Sequence, residues 1–120
     1  MELDHISISA PQALLDEVKA FYCHVFQLKD GERPDFGIPG YWLYSGDRPI
    51  VHLIASDGHV AVPNAHLDHV AFRATDLVGL EERLARIGCD FHKLEGLQEN
   101  VVQLFFSDPA GIKLEATVAV

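Results

Sequence analysis

Four residues of this chain have the types that bind a metal ion and the spacing to do so together: His5, His52, His69 and Glu115. Neutral imidazole nitrogens and a carboxylate are ligands for zinc, nickel, iron or manganese. Glu115 stands between Leu114 and Ala116 in an otherwise apolar stretch. A carboxylate buried there without compensation would be costly, so a positive partner or a metal is expected beside it. A single histidine in a strand is ordinarily structural. What lifts these residues above that reading is repetition.

Asp4-His5-Ile6-Ser7-Ile8-Ser9-Ala10 returns as Asp68-His69-Val70-Ala71-Phe72-Arg73-Ala74, an Asp-His pair followed by the same alternation and a closing alanine. Internal repetition of this kind marks a fold built from two copies of one unit. After each copy comes a helical pattern, Leu14, Leu15, Val18, Phe21, Tyr22 and Val25 in the first and Leu77, Leu80, Leu84 and Ile87 in the second. Pro11 suits a first helical turn and Gly88 the position just past a helix end. Each copy ends in a hairpin pattern. Tyr41 to Ser45 turns through Gly46-Asp47-Arg48-Pro49 into Ile50 to Ile54, and Val102 to Ser107 turns through Asp108-Pro109-Ala110-Gly111 into Ile112 to Ala116. These hairpins place His52 and Glu115 at matching positions. With short strands near Leu28 to Asp30 and Phe91 to Lys93, each half reads as βαβββ. The expected fold is α+β, two βαβββ modules in tandem forming a curved mixed sheet. Such halves are marginal alone, so residues 1–120 are read as one domain, with module one at about 1–56, module two at about 66–120 and the stretch 57–64 as a connector.

Strand side chains alternate faces. If His5 points to the concave side, so do Ser7 and Ser9, while Ile6 and Ile8 back onto a helix. His69, Ala71 and Arg73 share a face by the same rule, as do His52, Ile50 and Ile54, and Glu115, Lys113 and Thr117. A pseudo-twofold axis would then gather His5, His52, His69 and Glu115 around one ion. Ser7, Trp42 and Tyr44 fall where they would line a substrate cavity. Arg73 would stand one layer from the metal and receive an anionic or strongly polar substrate. His24, His59, His66 and His92 have no partner by spacing and are read as structural or solvated, His24 in a helix and the others in or near loops.

Nine Lys and Arg against eighteen Asp and Glu give a net charge of -9, which repels nucleic-acid phosphates and anionic membrane surfaces. Met1 leads directly into Glu2, Asp4 and His5 without a basic start or an apolar run, so a cytoplasmic location is expected. Cys23 and Cys89 form no CxxC pair and are expected as buried, reduced thiols.

The paired Asp-His strand starts, the segment FYCHVF before a leucine, and FFSDPAGIKLEA resemble the glyoxalase, bleomycin-resistance and extradiol-dioxygenase superfamily, also called vicinal oxygen chelate proteins. The last segment is similar to that family's closing D-P-x-G-x-x-x-E hairpin. The resemblance covers nearly the whole chain and carries the family's metal ligands to His5, His52, His69 and Glu115. It implies one divalent metal ion, a small-molecule substrate and a homodimer. Where glyoxalase I of the bacterial type holds glutathione with an arginine four residues past its first histidine, this chain has Ser9, which argues against glutathione. The potassium-binding loop and C-terminal basic residues of fosfomycin-modifying relatives have no counterpart, and keeping all four ligand positions argues against the metal-free sequestering members.

Two mechanisms then divide on His52. As a fourth ligand it completes a glyoxalase-type lyase or isomerase, which chelates two neighbouring substrate oxygens and stabilises an enediolate while Glu115 shuttles the proton. Standing off the metal, it would be the acid or base of an Fe(II) extradiol dioxygenase built on His5, His69 and Glu115. A non-catalytic small-molecule binding protein is the third reading.

Overall fold

Residues 3–57, 69–96 and 99–120 are described by a computed structural model, which divides into two compact units, Met1–Ala61 and Val62–Val120. In the first unit β1 (Ile6–Ala10) leads into α1 (Gln12–Val25), then β2 (Lys29–Gly31), β3 (Gly40–Ser45) and β4 (Arg48–Ala55). The second repeats the order with β5 (Val70–Ala74), α2 (Leu77–Arg86), β6 (His92–Glu95), β7 (Val101–Ser107) and β8 (Lys113–Ala119). Both are βαβββ, as the sequence predicts. Each unit forms its own mixed four-stranded sheet, ordered β1-β4-β3-β2 in one and β5-β8-β7-β6 in the other. The first and last strands of each unit are parallel neighbours and the remaining pairs are antiparallel.

The alternation of strand side chains decides what each sheet buries. Ile8 and Ala10 of β1, Leu43 of β3, and Val51 and Leu53 of β4 are buried on the face covered by α1, whose Leu15, Val18, Tyr22 and Val25 are wholly inaccessible. In the second unit Val102, Leu104 and Phe106 of β7 and Leu114, Ala116 and Val118 of β8 are buried, together with Leu80 and Leu84 of α2. Each buried Val, Leu, Ile or Phe among them contributes about 1.5–3 kcal/mol relative to exposure. Consequently the opposite faces carry His52, Trp42 and Ser7 in one unit and Glu115, Gln103 and Arg73 in the other.

Several details differ from the sequence reading. Pro11 is the N-cap of α1, with extended ψ, rather than part of its first turn. Gly88 lies past the end of α2 at φ 67° as expected, where its missing Cβ removes the cost of a left-handed backbone. The first hairpin turns on Gly46 and Asp47 alone, so Arg48 and Pro49 already belong to β4. A register shift between Leu43 and Tyr44 leaves Tyr44 opposite Pro49, and proline is tolerated at such a bulge because the ladder needs no amide donor there. His92 opens β6 instead of lying in a loop. Cys23 and Cys89 are free but only half-buried, and partial burial raises the pKa of both thiols. Asp68, His59, His66 and nearly all of the connector lie outside the described residues. No helix among the described residues is long and apolar enough to cross a membrane.

Candidate metal centre

Strand pairing sets the candidate residues in rows. In the first unit Ser7, His52, Trp42 and Gly31 are register partners across β1, β4, β3 and β2. His5 lies one residue before β1. Its ring stacks on His52 with centroids 3.8 Å apart and planes 10° from parallel, and His52 stacks in turn on Trp42 at 4.2 Å and 12°. The three rings form one pile.

Hydrogen bonds fix the tautomers within that pile. Asp4 Oδ2 lies 2.7 Å from His5 Nδ1, so Nδ1 donates to the carboxylate and Nε2 is left as the acceptor nitrogen, the tautomer a metal ligand takes. The same bond holds the Asp4 carboxyl below its usual range. His52 Nε2 lies 3.0 Å from the Pro49 carbonyl, leaving Nδ1 as the acceptor nitrogen. Burial lowers the His52 pKa, and His5 nearby lowers it further, so its neutral form is favoured.

The second unit answers with a different chemistry. Ala71, Glu115, Phe105 and His92 form the matching row. Glu115 is only 7% exposed. Its Oε1 accepts from Gln103 Nε2 at 2.6 Å and from Thr117 Oγ1 at 3.0 Å, and its Oε2 lies 2.9 Å from Nε2 of His69, the residue just before β5. Gln103 and Thr117 are register partners in the next row, shared with Arg73. Arg73 is exposed and forms no hydrogen bond or ion pair among the described residues. Upstream, the Asp108 carboxylate binds the amides of Ala110 and Ile112, both at 2.9 Å, which closes the Asp-Pro-Ala-Gly turn and starts β8 in the register that points Glu115 to this face.

Each unit therefore brings its own pair of sequence-predicted ligands together, His5 with His52 and His69 with Glu115. Within either unit the described residues form no group of three or more His, Cys, Asp or Glu that would hold an ion alone. The donor types fit a divalent metal, and the buried carboxylate has one oxygen held by two donors and the other turned to an imidazole.

Tyr44 lies across Gly31, where a Cβ would come within 2.7 Å of its ring, and its hydroxyl donates to the Glu32 carbonyl at 2.6 Å. Together with Trp42, Glu32, Arg33 and Pro34 it lines a cleft of about 490 Å³. The sequence reading passed over four contributors: Asp4 and the Pro49 carbonyl as tautomer-fixing acceptors, Gln103 as a partner of Glu115, and Arg33. Gln103 was open to discovery, since strand alternation puts it beside Thr117. Arg33 carries no periodic signal, being part of the segment between β2 and β3.

Comparison with known proteins agrees with this fold. The sequence model of the Glyoxalase/Bleomycin resistance protein/Dioxygenase superfamily matches residues 2–116. Among solved structures, a Bacillus anthracis protein assigned to the glyoxalase family superposes with a TM-score of 0.77 at 20% identity, covering 100% of this chain and 96% of that one. A glyoxylase/bleomycin resistance protein/dioxygenase domain from Frankia sp. EAN1pec gives 0.72 at 24% identity, with 100% and 93% covered. The genomically encoded fosfomycin resistance protein FosX from Listeria monocytogenes gives 0.72 at 15% identity, with 100% and 94% covered. At these identities the structural matches speak for the fold alone. No curated protein sequence matches significantly. With the repeat, the paired ligand positions and a family match along nearly its full length, the chain belongs to the glyoxalase/bleomycin resistance protein/dioxygenase superfamily.

Proposed function

We propose that His5, His52, His69 and Glu115 together hold one divalent metal ion, and that the protein is a glyoxalase-type lyase or isomerase acting on a small oxygen-rich substrate. The observation that carries this reading is Glu115: a nearly inaccessible carboxylate whose Oε1 is saturated by Gln103 and Thr117 while Oε2 faces His69. Zinc, nickel, manganese and iron all suit the donors. When bound, such an ion supplies Lewis-acid stabilisation of charge on substrate oxygens.

The protein's own groups do the rest. Glu115 Oε2 is the candidate base for a proton next to a substrate carbonyl, because Oε1 is already committed. Its removal generates an enediolate, and the proton then returns to the neighbouring carbon. Trp42 and Tyr44 exclude water from one wall, Ser7 offers a hydroxyl beside His52, and Arg73 offers a guanidinium in the row of Thr117. The family reading extends to a homodimer, which light scattering on the purified protein measures.

One observation favours a second reading. Two imidazoles stacked face to face, as His5 and His52 are, cannot both aim a ring nitrogen in plane at one ion. If His52 stays in its pile, His5, His69 and Glu115 remain as the two-histidine, one-carboxylate set of non-haem iron, and His52 Nδ1 is free to act as acid or base in catechol cleavage. Elemental analysis of the purified protein, followed by assays with 2-oxo acids and with catechols under oxygen, separates the two. Stoichiometric zinc, nickel or manganese with isomerisation supports the first, and iron with ring cleavage the second. His69→Ala is expected to strip most of the metal. A protein that takes up no divalent metal, or a His69→Ala variant with full occupancy, ends both and leaves a small-molecule binding protein.

A further inference from the structure

In the first unit the Arg33 guanidinium has a buried nitrogen whose hydrogen bonding is incomplete among the described residues. Nη1 donates to the Ile38 carbonyl at 3.0 Å, but Nε is buried with no partner among the described residues. The guanidinium packs over Phe36, 5.0 Å from the ring centroid, and across Gly40, where a Cβ would come within 2.8 Å of Nη2. A Cβ there would meet the Leu53 carbonyl oxygen even sooner, so glycine at the start of β3 admits both the close approach of β4 and the arginine. Neither neighbouring acidic residue pairs with it: Asp35 Oδ1 accepts from the Gly37 amide at 2.9 Å, and Glu32 contributes its carbonyl to Tyr44. Arg33 lines two clefts, one walled by Trp42 and Tyr44 and the other by Ile38, Pro39 and Tyr41. Phe36 is 56% exposed, and its ring centroid is 6.2 Å from that of Trp42.

A guanidinium cannot discharge itself, and its planar fork of donors matches a carboxylate. We propose that Arg33 receives a carboxylate of the substrate, which therefore combines chelating oxygens with an anionic group reaching along the Trp42 cleft. Phe36 and Gly40 hold the fork open, the first by stacking on it and the second by leaving space. The substrate class rests on the metal-enzyme reading, but the carboxylate site is testable without it.

Trp42 is the sole tryptophan and lines the cleft, so its fluorescence reports occupancy. The probes are 3-phenylpropionate and its uncharged amide, titrated into chelator-treated and metal-loaded protein. The carboxylate is expected to bind at least about tenfold more tightly than the amide, a preference of about 1.4 kcal/mol, in both forms. Arg33→Met should abolish that preference. Arg33→Gln, which keeps a donor for the Ile38 carbonyl, should do the same with an unchanged circular dichroism spectrum and covers the case in which Arg33→Met fails to fold. Phe36→Leu should reduce the preference less. Equal binding of acid and amide by the parent protein, or a preference that survives Arg33→Gln, overturns the proposal. So does a preference seen only with metal present, because it would assign the carboxylate to the ion. A metal-free protein that keeps the preference upholds Arg33 even if no metal binds, so the two readings fail separately.

Discussion

The two halves share a backbone plan and differ in what surrounds the residue at its centre. His52 and Glu115 occupy equivalent positions on β4 and β8. Around His52 the next row holds Gly40 and Ile54; around Glu115 it holds Gln103 and Thr117. The face of His52 is covered by Trp42, whereas the register partner of Glu115 is Phe105, which meets His69 edge-on at 6.2 Å. A neutral imidazole is satisfied by one carbonyl and a flat neighbour. A buried carboxylate is not, and needs two or three donors to offset its desolvation. The lesson is that the central residue dictates its surroundings: exchanging histidine for glutamate in one copy of a repeat carries a change from apolar to polar partners in the adjoining row.

The strongest way to break this comparison is to remove each central residue in turn. Glu115→Ala should weaken metal binding by more than about 100-fold, beyond the range typical of outer partners. It also leaves Gln103 and Thr117 facing an apolar gap. On the four-ligand reading His52→Ala should also lower metal affinity, though less than Glu115→Ala because the anionic ligand is kept; on the dioxygenase reading it should keep its metal while turnover falls by about 10²–10⁴-fold. Metal titration against a competing chelator reads both. Equal loss in the two variants would make His52 a full ligand and abolish the asymmetry. Unchanged metal and unchanged turnover in His52→Ala would remove it from the site.

A gentler disturbance targets the surroundings instead. Gln103→Leu takes a donor from Glu115 Oε1 and should cost about 10–100-fold in metal affinity. In the first unit Trp42→Leu removes a stacking face but no hydrogen bond to a ligand, so metal affinity should move much less while substrate binding weakens. Asp4→Asn, which softens the hold on His5 Nδ1, should fall between them. If Trp42→Leu proves worse for metal than Gln103→Leu, the stack rather than the carboxylate network organises the centre.

Much of this was legible in the sequence because the repeat turns weak signals into paired ones. Asp4-His5 and Asp68-His69 mark matching strand starts, and alternation from them assigns Ser7, His52 and Glu115 to their faces. The bulge at Tyr44 and Pro49 was not legible: Pro49 reads as a turn residue, and only the ladder register shows it inside β4, with its carbonyl beside His52 Nε2. The stacking of His5 on His52 was equally hidden, because alternation gives a side chain's face and not its rotamer. Arg33 escaped for a third reason. It belongs to a segment without periodicity, and its importance comes from a space at Gly40 and an Nε left unpaired among the described residues.

The smallest expected effect concerns Arg73, the second half's counterpart of Ser9. It is exposed, follows His69 on the same face, and shares a row with Thr117 and Gln103, the two donors to Glu115 Oε1. A guanidinium placed there adds positive potential near a buried carboxylate, but solvent screens it and no partner among the described residues orients it. Arg33 is half-buried, stacked and held at one end, so it should discriminate anions more sharply. Arg73→Met is accordingly expected to leave fold and metal content intact and to raise KM a few-fold with a smaller change in kcat, the signature of lost ground-state binding. Arg33→Met should raise KM for a carboxylate substrate further. Should Arg73→Met prove the more damaging, the anion is held by the second sheet and the roles of the two arginines are reversed. Should it match the parent in KM and kcat, Arg73 is a surface residue, and the polar row around Glu115 serves the metal ligand alone.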